Sequence, residues 1–322
     1  MRKIAIYDSF TEPKHRRLID ETAARAGFTV DYYAAPTAVP ADKRGDYEVI
    51  YGMPKPGELK DFVNLKWFCG SFAGVDAYLD DSLYPAPEVM LSNSSGAYGV
   101  TIAEHMVMVT LMLLRHAPAY CADQAAGRWG RVLPMRSIMG STITVGGTGD
   151  IGTEFARRAK ALGAAAVRGV RRTKKAADPA FDEIHTNDEL DALLPDTDIL
   201  ALALPATGET KGFLSAARLA LLPKTAYVVN VGRGSAIDQA ALLDALNHDR
   251  LAGAALDVFE QEPIPAGDPA WTAKNLLITP HISGQMSLGY TRDRNVQLFC
   301  EDLERYGLGE KPLRLVDRRI GY

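Results

Sequence analysis

Residues 141–172 read STITVGGTGDIGTEFARRAKALGAAAVRGVRR, and this stretch decides the fold of the second half of the chain. Ile143 and Val145 alternate with polar residues as in a half-buried strand, and three glycines then follow in the spacing G-x-G-x-x-G. These are Gly147, Gly149 and Gly152. Such glycines permit a tight turn, a close backbone approach to a pyrophosphate and close packing of a helix on a strand. The stretch predicts a dinucleotide-binding βαβ unit, with a purely structural glycine-rich turn as the alternative.

The helix after these glycines predicts how phosphates are bound. A helical stretch covers 153–162, and Gly163 ends it. The first N–H groups of a helix have no partner within it and carry partial positive charge. We therefore expect the N–H groups near Asp150 and Ile151 to face the phosphates of a bound dinucleotide.

A basic run at 168–175 (RGVRRTKK) predicts which dinucleotide is preferred. The second strand ends at Val170, where an NAD-selective site carries Asp or Glu to bind the ribose hydroxyls. Arg171 and Arg172 stand there instead. A guanidinium group binds a 2′-phosphate through two parallel hydrogen bonds, whereas a carboxylate repels it. The run therefore predicts NADP as the preferred cofactor over NAD, unless it is only a solvated loop.

Short apolar runs alternate with helical stretches along the chain, which is typical of parallel sheets with crossover helices. The runs lie at 3–7, 28–33, 47–51, 65–69, 198–204, 226–231, 254–256 and 276–279, and a polar break lies at 91–99. The tail has one helical stretch, 291–306, and too little apolar material for a core of its own. We predict an α/β protein with two doubly wound parallel-sheet domains, residues 1–98 plus 286–322 and residues 99–285.

The composition limits the classes of function. The 322 residues suffice for about two domains. Apolar residues make up 47% and charged residues 24% of the chain, which is the balance of a globular protein and not of a disordered one. The net charge of -4 leaves no basic excess for a phosphate backbone, so no nucleic-acid partner is expected.

Cysteine usage and hydropathy predict a cytoplasmic protein with no metal and no membrane partner. The three cysteines, Cys69, Cys121 and Cys300, are far apart and form no CxxC pair, so we expect free thiols instead of disulfides or a zinc site. The longest apolar stretch, 106–114, is too short to cross a bilayer. The apolar run at the N-terminus is likewise too short for a signal peptide.

Three segments place ionisable groups directly after apolar strands. They are NVGRG at 230–234, DVFEQEP at 257–263 and PHISG at 280–284. In a doubly wound sheet, ligands bind beyond the carboxyl ends of the strands. These segments are therefore expected to converge on one site despite their separation in the sequence.

The ordered motifs resemble those of the D-isomer-specific 2-hydroxyacid dehydrogenase family. They are the G-x-G-x-x-G unit, VGRGS (231–235), LDVFEQEP (256–263) and ITPHISG (278–284), with AGVD (73–76) and TIAEH (101–105) upstream. The resemblance spans essentially the whole chain. It implies a flavodoxin-like substrate domain, a Rossmann cofactor domain, an active site in the interdomain cleft and a homodimer whose contact includes helix 101–115.

The resemblance also implies catalytic roles. Arg233 matches the arginine that binds substrate, and a planar guanidinium suits the oxygens of a 2-oxo acid. His281 matches the acid/base, which protonates the carbonyl oxygen as hydride arrives. Glu262 matches the carboxylate that holds this imidazole, although Glu260 is a close competitor. Asp257 resembles the residue that contacts the nicotinamide carboxamide.

Further contacts follow from the resemblance and from the bulk of nearby side chains. The cofactor contacts are expected at Gly147, Thr148, Gly149, Asp150, Ile151, Gly152, Arg171, Arg172, Leu204, Pro205, Val231, Gly232, Arg233, Asp257, His281, Ser283 and Gly284. The substrate contacts are expected at Tyr51, Met53, Phe72, Ala73, Gly74, Arg233 and His281, with backbone N–H groups at 72–75 facing the substrate carboxylate. His105 is interpreted as structural. Gly146, where the family has an apolar residue, is expected to loosen its strand end.

The motifs and the resemblance together predict an oxidoreductase that uses NAD(P)H, with NADPH preferred, to reduce a 2-oxo acid, and the resemblance alone implies that the product is the D-2-hydroxy acid. Two alternatives remain open. One is a non-catalytic NAD(P)-binding sensor or corepressor on the same fold. The other is a formate- or phosphite-type dehydrogenase of the same superfamily.

Overall fold

Two parallel sheets form the framework of the chain, and each lies in its own compact unit. The computed structural model describes residues 2–7, 9–34, 39–174 and 178–322. The first unit contains Met1–Tyr98 and Met286–Tyr322, and the second contains Gly99–Gln285. The two sheets have five and seven strands, which confirms the predicted α/β class.

The first unit is a five-stranded sheet with two long helices packed against each other. Its strands are β1 (Arg2–Tyr7), β2 (Phe28–Tyr33), β3 (Val49–Gly52), β4 (Trp67–Gly70) and β5 (Met90–Ser92), and its helices are α1 (Pro13–Arg25) and α8 (Gly289–Gly307). The order β2-β1-β3-β4-β5 with parallel pairs is the flavodoxin-like order. Alternate residues of the strands enter the two apolar cores, so that Ile4 packs with α8 while Ala5 faces the other side.

The second unit is a seven-stranded parallel sheet. Its strands are β6 (Thr142–Gly146), β7 (Ala166–Arg171), β8 (Glu183–Thr186), β9 (Ile199–Leu202), β10 (Tyr227–Asn230), β11 (Gly253–Leu256) and β12 (Leu276–Ile278). Its helices are α2 (Gly99–Leu114), α3 (Ala117–Ala125), α4 (Asp150–Ala161), α5 (Leu190–Leu193), α6 (Ala216–Leu219) and α7 (Gln239–Asn247).

The strand order of this sheet is β12-β11-β10-β9-β6-β7-β8. The chain builds one side from β6 through β8 and then returns to the other side of β6 with β9. The order reverses at β6, and the crevice beyond the carboxyl ends of the strands at such a reversal is where doubly wound sheets bind dinucleotides. The G-x-G-x-x-G loop, at 147–152, lies at this point.

Helix α2 packs on α4, β10 and β11. Its first residue, Gly99, donates its backbone N–H to Oδ2 of Asp150 at 2.7 Å. The Asp150 carboxylate therefore caps α2 while the backbone of the same residue begins α4.

Two strands were not expected from the sequence, and both omissions have a physical reason. β5 has only three residues and overlaps the stretch interpreted as a polar break. β8 has the sequence EIHT and lies at the edge of its sheet, where polar residues are tolerated. An apolar run is therefore a poor signal for such strands.

The expectation that Gly146 loosens the end of its strand is wrong. Gly146 pairs with Val170 on one side and with Leu202 on the other, and it is buried. A Cβ atom placed on it would lie 2.8 Å from a Leu202 methyl group. The Leu202 side chain therefore fills the space that a side chain at position 146 would occupy, and the end of the strand is closely packed.

Within the described ranges, no single helix is long and apolar enough to cross a membrane. Only α2 and α3 taken together, as a pair bent by 69°, pass a test of length and composition.

Candidate active site

The phosphate-binding loop contains three glycines with different surroundings. Gly147 has φ +95°, and a Cβ atom on it would lie 2.6 Å from the carbonyl oxygen of Ala203, so the fold itself requires glycine there. A Cβ atom on Gly152 would overlap the carbonyl oxygen of Gly147. A Cβ atom on Gly149, by contrast, would have no atom within 4 Å. Contacts inside the protein therefore require glycine at positions 147 and 152, whereas Gly149 faces open space at the start of α4.

The groups around Gly149 fit a bound phosphate. No side chain caps the N-terminus of α4, whose first residues are Asp150 and Ile151. The Asp150 carboxylate is engaged by Gly99, so the backbone N–H groups are what this helix end offers to an anion. The Thr148 hydroxyl is buried and has no hydrogen-bond partner in the described part of the chain. A buried hydroxyl without a partner is costly, and a ligand oxygen would supply one.

The basic residues of the run at 168–175 differ in their exposure and in whether they form ion pairs. Arg171 ends β7 half-buried, and its side chain makes no hydrogen bond or ion pair with residues in the described ranges. Arg172 is exposed. Lys174 already pairs with Glu189 at 3.3 Å. Lys175, the last residue of the basic run, lies outside the described residues. Among the described residues of the run, Arg171 is therefore the one whose charge has no partner.

The segment after β10 positions Arg233. Asn230, which is buried, accepts the N–H of Gly232 at 3.0 Å and donates to the carbonyl of Arg233 at 2.9 Å. Its amide side chain thereby closes the turn, and the half-buried Arg233 guanidinium donates to the carbonyl oxygen of Gly232 at 2.8 Å. This role of Asn230 was missed from the sequence. The signal is an Asn directly after an apolar strand, because an amide both donates and accepts.

Neighbouring segments meet along the carboxyl edge of the sheet. A Cβ atom on Gly234 would overlap the backbone of Phe259 and Glu260, so the loops after β10 and β11 are in close contact. The other expected cofactor residues flank the same edge. Leu204 and Val231 are buried, Pro205 is exposed, and Gly284 is half-buried.

His281 and Glu262 form the expected pair. Nδ1 of His281 lies 2.7 Å from Oε2 of Glu262, and Oε1 of the same carboxylate accepts the N–H of Phe259 at 2.8 Å. The backbone of His281 is left-handed, with φ +48°. The imidazole is 52% exposed, so it is held on one side and accessible on the other. The structure thus places Glu262, and not Glu260, on the imidazole.

Asp257 organises the segment that carries His281. Its carboxylate, almost fully buried, accepts hydrogen bonds from the Thr279 hydroxyl at 2.6 Å and from the N–H groups of Ile282 and Ser283 at 3.0 Å each. Its backbone oxygen accepts the N–H of His281 at 2.8 Å. Burial opposes ionisation, but the hydrogen bonds from Ser283, Thr279 and Ile282 outweigh it, and the pKa of Asp257 lies below its ordinary value. Asp257 is therefore an ionised anchor inside the protein.

His105 reaches this anchor from α2. Its Nε2 lies 3.1 Å from the Thr279 hydroxyl and 3.9 Å from Oδ1 of Asp257. Burial lowers the pKa of His105, and the charge of Asp257 offsets this only in part. No sequence pattern indicated that this histidine contacts the segment that contains His281.

The loop that was expected to bind an anion, residues 72–75, follows β4 in the first unit. The backbone N–H groups of residues 72–75 donate no hydrogen bond within the described residues. The carbonyls nearby are committed, since Phe72 accepts from Ser94 at 2.9 Å and Ala73 from Asn93 at 2.7 Å. Gly74 is exposed. The loop therefore offers donors while its acceptors are occupied, which is the arrangement of an anion-binding nest.

The bulky residues expected to contact the substrate beside this loop differ in their exposure to solvent. Met53 is 40% exposed at the end of β3. Phe72 stacks on Tyr78 with ring centroids 4.9 Å apart. Tyr51 is fully buried and stacks on Phe299 at 4.3 Å, inside the core that includes α8. The structure thus does not support Tyr51 as a substrate contact, because alternation along β3 turns its ring into the core.

Comparison with known proteins agrees with this geometry. The sequence model of the family described as D-isomer specific 2-hydroxyacid dehydrogenase, NAD binding domain, matches residues 107–283. A glyoxylate reductase of Aeropyrum pernix is 33% identical over 204 residues, and this alignment spans only 60% of that protein and 60% of this chain.

Solved structures resemble the whole chain. A D-isomer specific 2-hydroxyacid dehydrogenase from Xanthobacter autotrophicus, in complex with NADPH and MES, is 31% identical with a TM-score of 0.83, covering 100% of this chain and 99% of that one. An NADPH-dependent glyoxylate/hydroxypyruvate reductase from Sinorhizobium meliloti, in complex with NADP and sulfate, is 27% identical with a TM-score of 0.80 and full coverage of both chains. The chain therefore belongs to the D-isomer specific 2-hydroxyacid dehydrogenase family and is an NAD(P)-dependent oxidoreductase of that family.

Proposed function

We propose that the protein reduces a small 2-oxo acid to the D-2-hydroxy acid with NADPH as the preferred reductant. The observation that carries the proposal is the imidazole–carboxylate pair of His281 and Glu262, held at the carboxyl edge of a dinucleotide-binding sheet. The relatives named as glyoxylate and hydroxypyruvate reductases support a 2-oxo acid as the substrate class.

The cofactor proposal rests on the surroundings of α4 and β7. The N–H groups at 149–151 and the unpartnered Thr148 hydroxyl would hold the pyrophosphate. The uncommitted guanidinium of Arg171, with Arg172 beside it, would hold a 2′-phosphate. Complexes of similar structures with NADPH and NADP support this preference. When bound, the nicotinamide supplies the hydride.

The chain's own residues would manage the proton and the charge. Glu262 contacts Nδ1 of His281 and would orient the ring, which leaves Nε2 as the proton donor to a carbonyl oxygen. The same nitrogen would take the proton back when the hydroxy acid is oxidised. Arg233, with a guanidinium that is always charged, would bind the oxygens of the substrate.

In the first unit, we propose that the N–H groups of 72–75 bind a carboxylate. Four backbone donors in one loop with no acceptor among the described residues are unusual, because the backbone groups of folded proteins are nearly always paired. The exposed Met53 and the half-buried Phe72 would set the size of the acid that is accepted.

A homodimer in the cytoplasm completes the proposal. Large apolar side chains are exposed on α2 and on the segment 126–135 that follows α3. Met108 is 46% exposed, Trp129 95% and Leu133 74%. Apolar surface of this kind marks interfaces between proteins. Light scattering of the purified protein would give the molar mass directly.

The test is an assay of purified protein for loss of absorbance at 340 nm. Glyoxylate, hydroxypyruvate and longer 2-oxo acids would be tried with NADPH and with NADH, and formate and phosphite would be tried with NADP and NAD. We expect turnover of at least one 2-oxo acid, with a higher kcat/KM for NADPH than for NADH. Cofactor binding without turnover would favour the sensor, and oxidation of formate or phosphite would favour the other enzyme class.

A further inference from the structure

A series of hydrogen bonds links helix α2 to the segment that carries His281. Nε2 of His105 contacts the Thr279 hydroxyl at 3.1 Å, and that hydroxyl contacts Oδ1 of Asp257 at 2.6 Å. The side chains of His105 and Asp257 are only 11% and 1% exposed. Solvent is therefore a weak competitor for these bonds.

Chemistry allows one arrangement of protons along this series. An ionised carboxylate only accepts hydrogen bonds, so the Thr279 hydroxyl gives its single proton to Asp257. The hydroxyl oxygen must then accept from His105, whose neutral ring carries its proton on Nε2. The hydroxyl has no second orientation that satisfies both neighbours, and the series is fixed in direction.

The series of hydrogen bonds ends beside His281, whose backbone is left-handed. Asp257 binds residues on both sides of His281, namely Thr279, Ile282 and Ser283, and its backbone oxygen binds His281 itself. His281 has φ +48°, a conformation that costs energy outside glycine and persists only where the surroundings enforce it. The hydrogen bonds to Asp257 lie on both sides of His281 and are therefore placed to enforce it.

We propose that His105 is a positioning residue that acts through Thr279 and Asp257 to hold the left-handed backbone of His281 and so keep the imidazole against Glu262. The proposal rests on the proposed function, in which that imidazole transfers the proton. His105 lies in α2, which packs on β10 and β11, so the helix is the rigid support for a segment that has no regular structure of its own.

The kinetic test compares His105→Leu with His105→Gln. Glutamine places an N–H donor close to the position of Nε2, whereas leucine fills the space without a donor. Because misplacing a catalytic group lowers the rate more than it weakens binding, His105→Leu should lower kcat by about tenfold or more, with KM changed by no more than about twofold. His105→Gln should recover most of the loss.

A second measurement does not depend on activity. Hydrogen exchange followed by mass spectrometry would report the protection of the Ile282 and Ser283 N–H groups in a peptide that covers 279–285. Exchange should be faster in His105→Leu and in Thr279→Val, which removes only the hydroxyl, and unchanged in Thr279→Ser. Thr110→Val is the matched control, because within the described residues this buried hydroxyl of α2 bonds to the carbonyl oxygen of Met106 in the same helix and to nothing else.

The outcomes separate the two proposals. If the wild-type protein reduces no 2-oxo acid, the proposed function fails, and hydrogen exchange alone decides the positioning role. If His105→Leu retains wild-type kcat and normal protection of 279–285, the positioning role is wrong. Equal losses in His105→Leu and His105→Gln would also overturn it, because packing and not the hydrogen bond would then be responsible.

Discussion

The Glu262–His281 contact gives the sharpest prediction. Replacing Glu262 with Gln keeps the shape and an acceptor for the Phe259 N–H but removes the negative charge beside Nδ1. A carboxylate stabilises the imidazolium, which is the form that donates a proton, whereas a neutral amide does not. The variant should therefore lose rate in the direction of 2-oxo acid reduction while cofactor affinity is retained.

The size of the loss follows from the exposure of the pair. A close pair of unit charges is worth about 1 kcal/mol in water and about 4 kcal/mol near a protein surface. The His281 and Glu262 side chains are 52% and 35% exposed, so solvent screens the pair and a value of about 2 kcal/mol is reasonable. Each 1.36 kcal/mol is tenfold in rate, which makes the expected loss in kcat/KM about thirtyfold.

The assay is steady-state oxidation of NADPH with the best 2-oxo acid, at low and at high salt. Glu260→Gln is the matched control, since Glu260 is exposed and two residues away. The loss in Glu262→Gln should shrink as salt is added, because screening weakens the wild-type pair. Wild-type activity in Glu262→Gln, or an equal loss in Glu260→Gln, would refute the assignment.

Three further predictions concern the cofactor and the buried anchor. In Arg171→Asp, the KM for NADPH divided by the KM for NADH should rise by about tenfold or more, because the 2′-phosphate loses a cation and meets an anion. Unchanged cofactor selectivity would count against a role for this arginine. Gly149→Ala should keep the melting temperature but weaken NADPH binding measured by fluorescence titration, whereas Gly152→Ala should destabilise the fold through its overlap with backbone; equal melting temperatures would contradict this difference. Asp257→Asn should cost about 2 kcal/mol at pH 7 in urea unfolding. Since the pKa of Asp257 is lowered on folding, its contribution is present above about pH 4 and is lost as the pH falls further, so wild type and variant should converge in acid, and a constant difference would argue against an ionised anchor.

The sequence was most informative where glycine and apolar patterns act locally. The G-x-G-x-x-G loop, strand β6 and helix α4 follow one another as expected because each depends on neighbouring residues. The motif around Glu262 and His281 also indicated their pairing, although the two residues lie 19 positions apart.

The contacts that the sequence could not indicate join residues that are far apart along the chain or depend on the register of a sheet. His105 lies 174 positions from Thr279, and a single histidine in an apolar helix looks like any other core residue. Tyr51 was expected at the substrate, but which side of β3 faces α8 depends on sheet register and not on residue type. The contact of Asp257 with the nicotinamide stays a prediction, and only the coordinates show that its carboxylate accepts three hydrogen bonds.

The left-handed backbone at His281 has a consequence for attempts to engineer thermal resistance. At such a position glycine is conformationally cheaper than histidine, by about 1 kcal/mol. A screen that rewards only heat tolerance would tend to replace this residue and would collect more stable proteins without the imidazole that we propose as the proton donor. Stability and the proposed proton transfer therefore favour different residues at position 281.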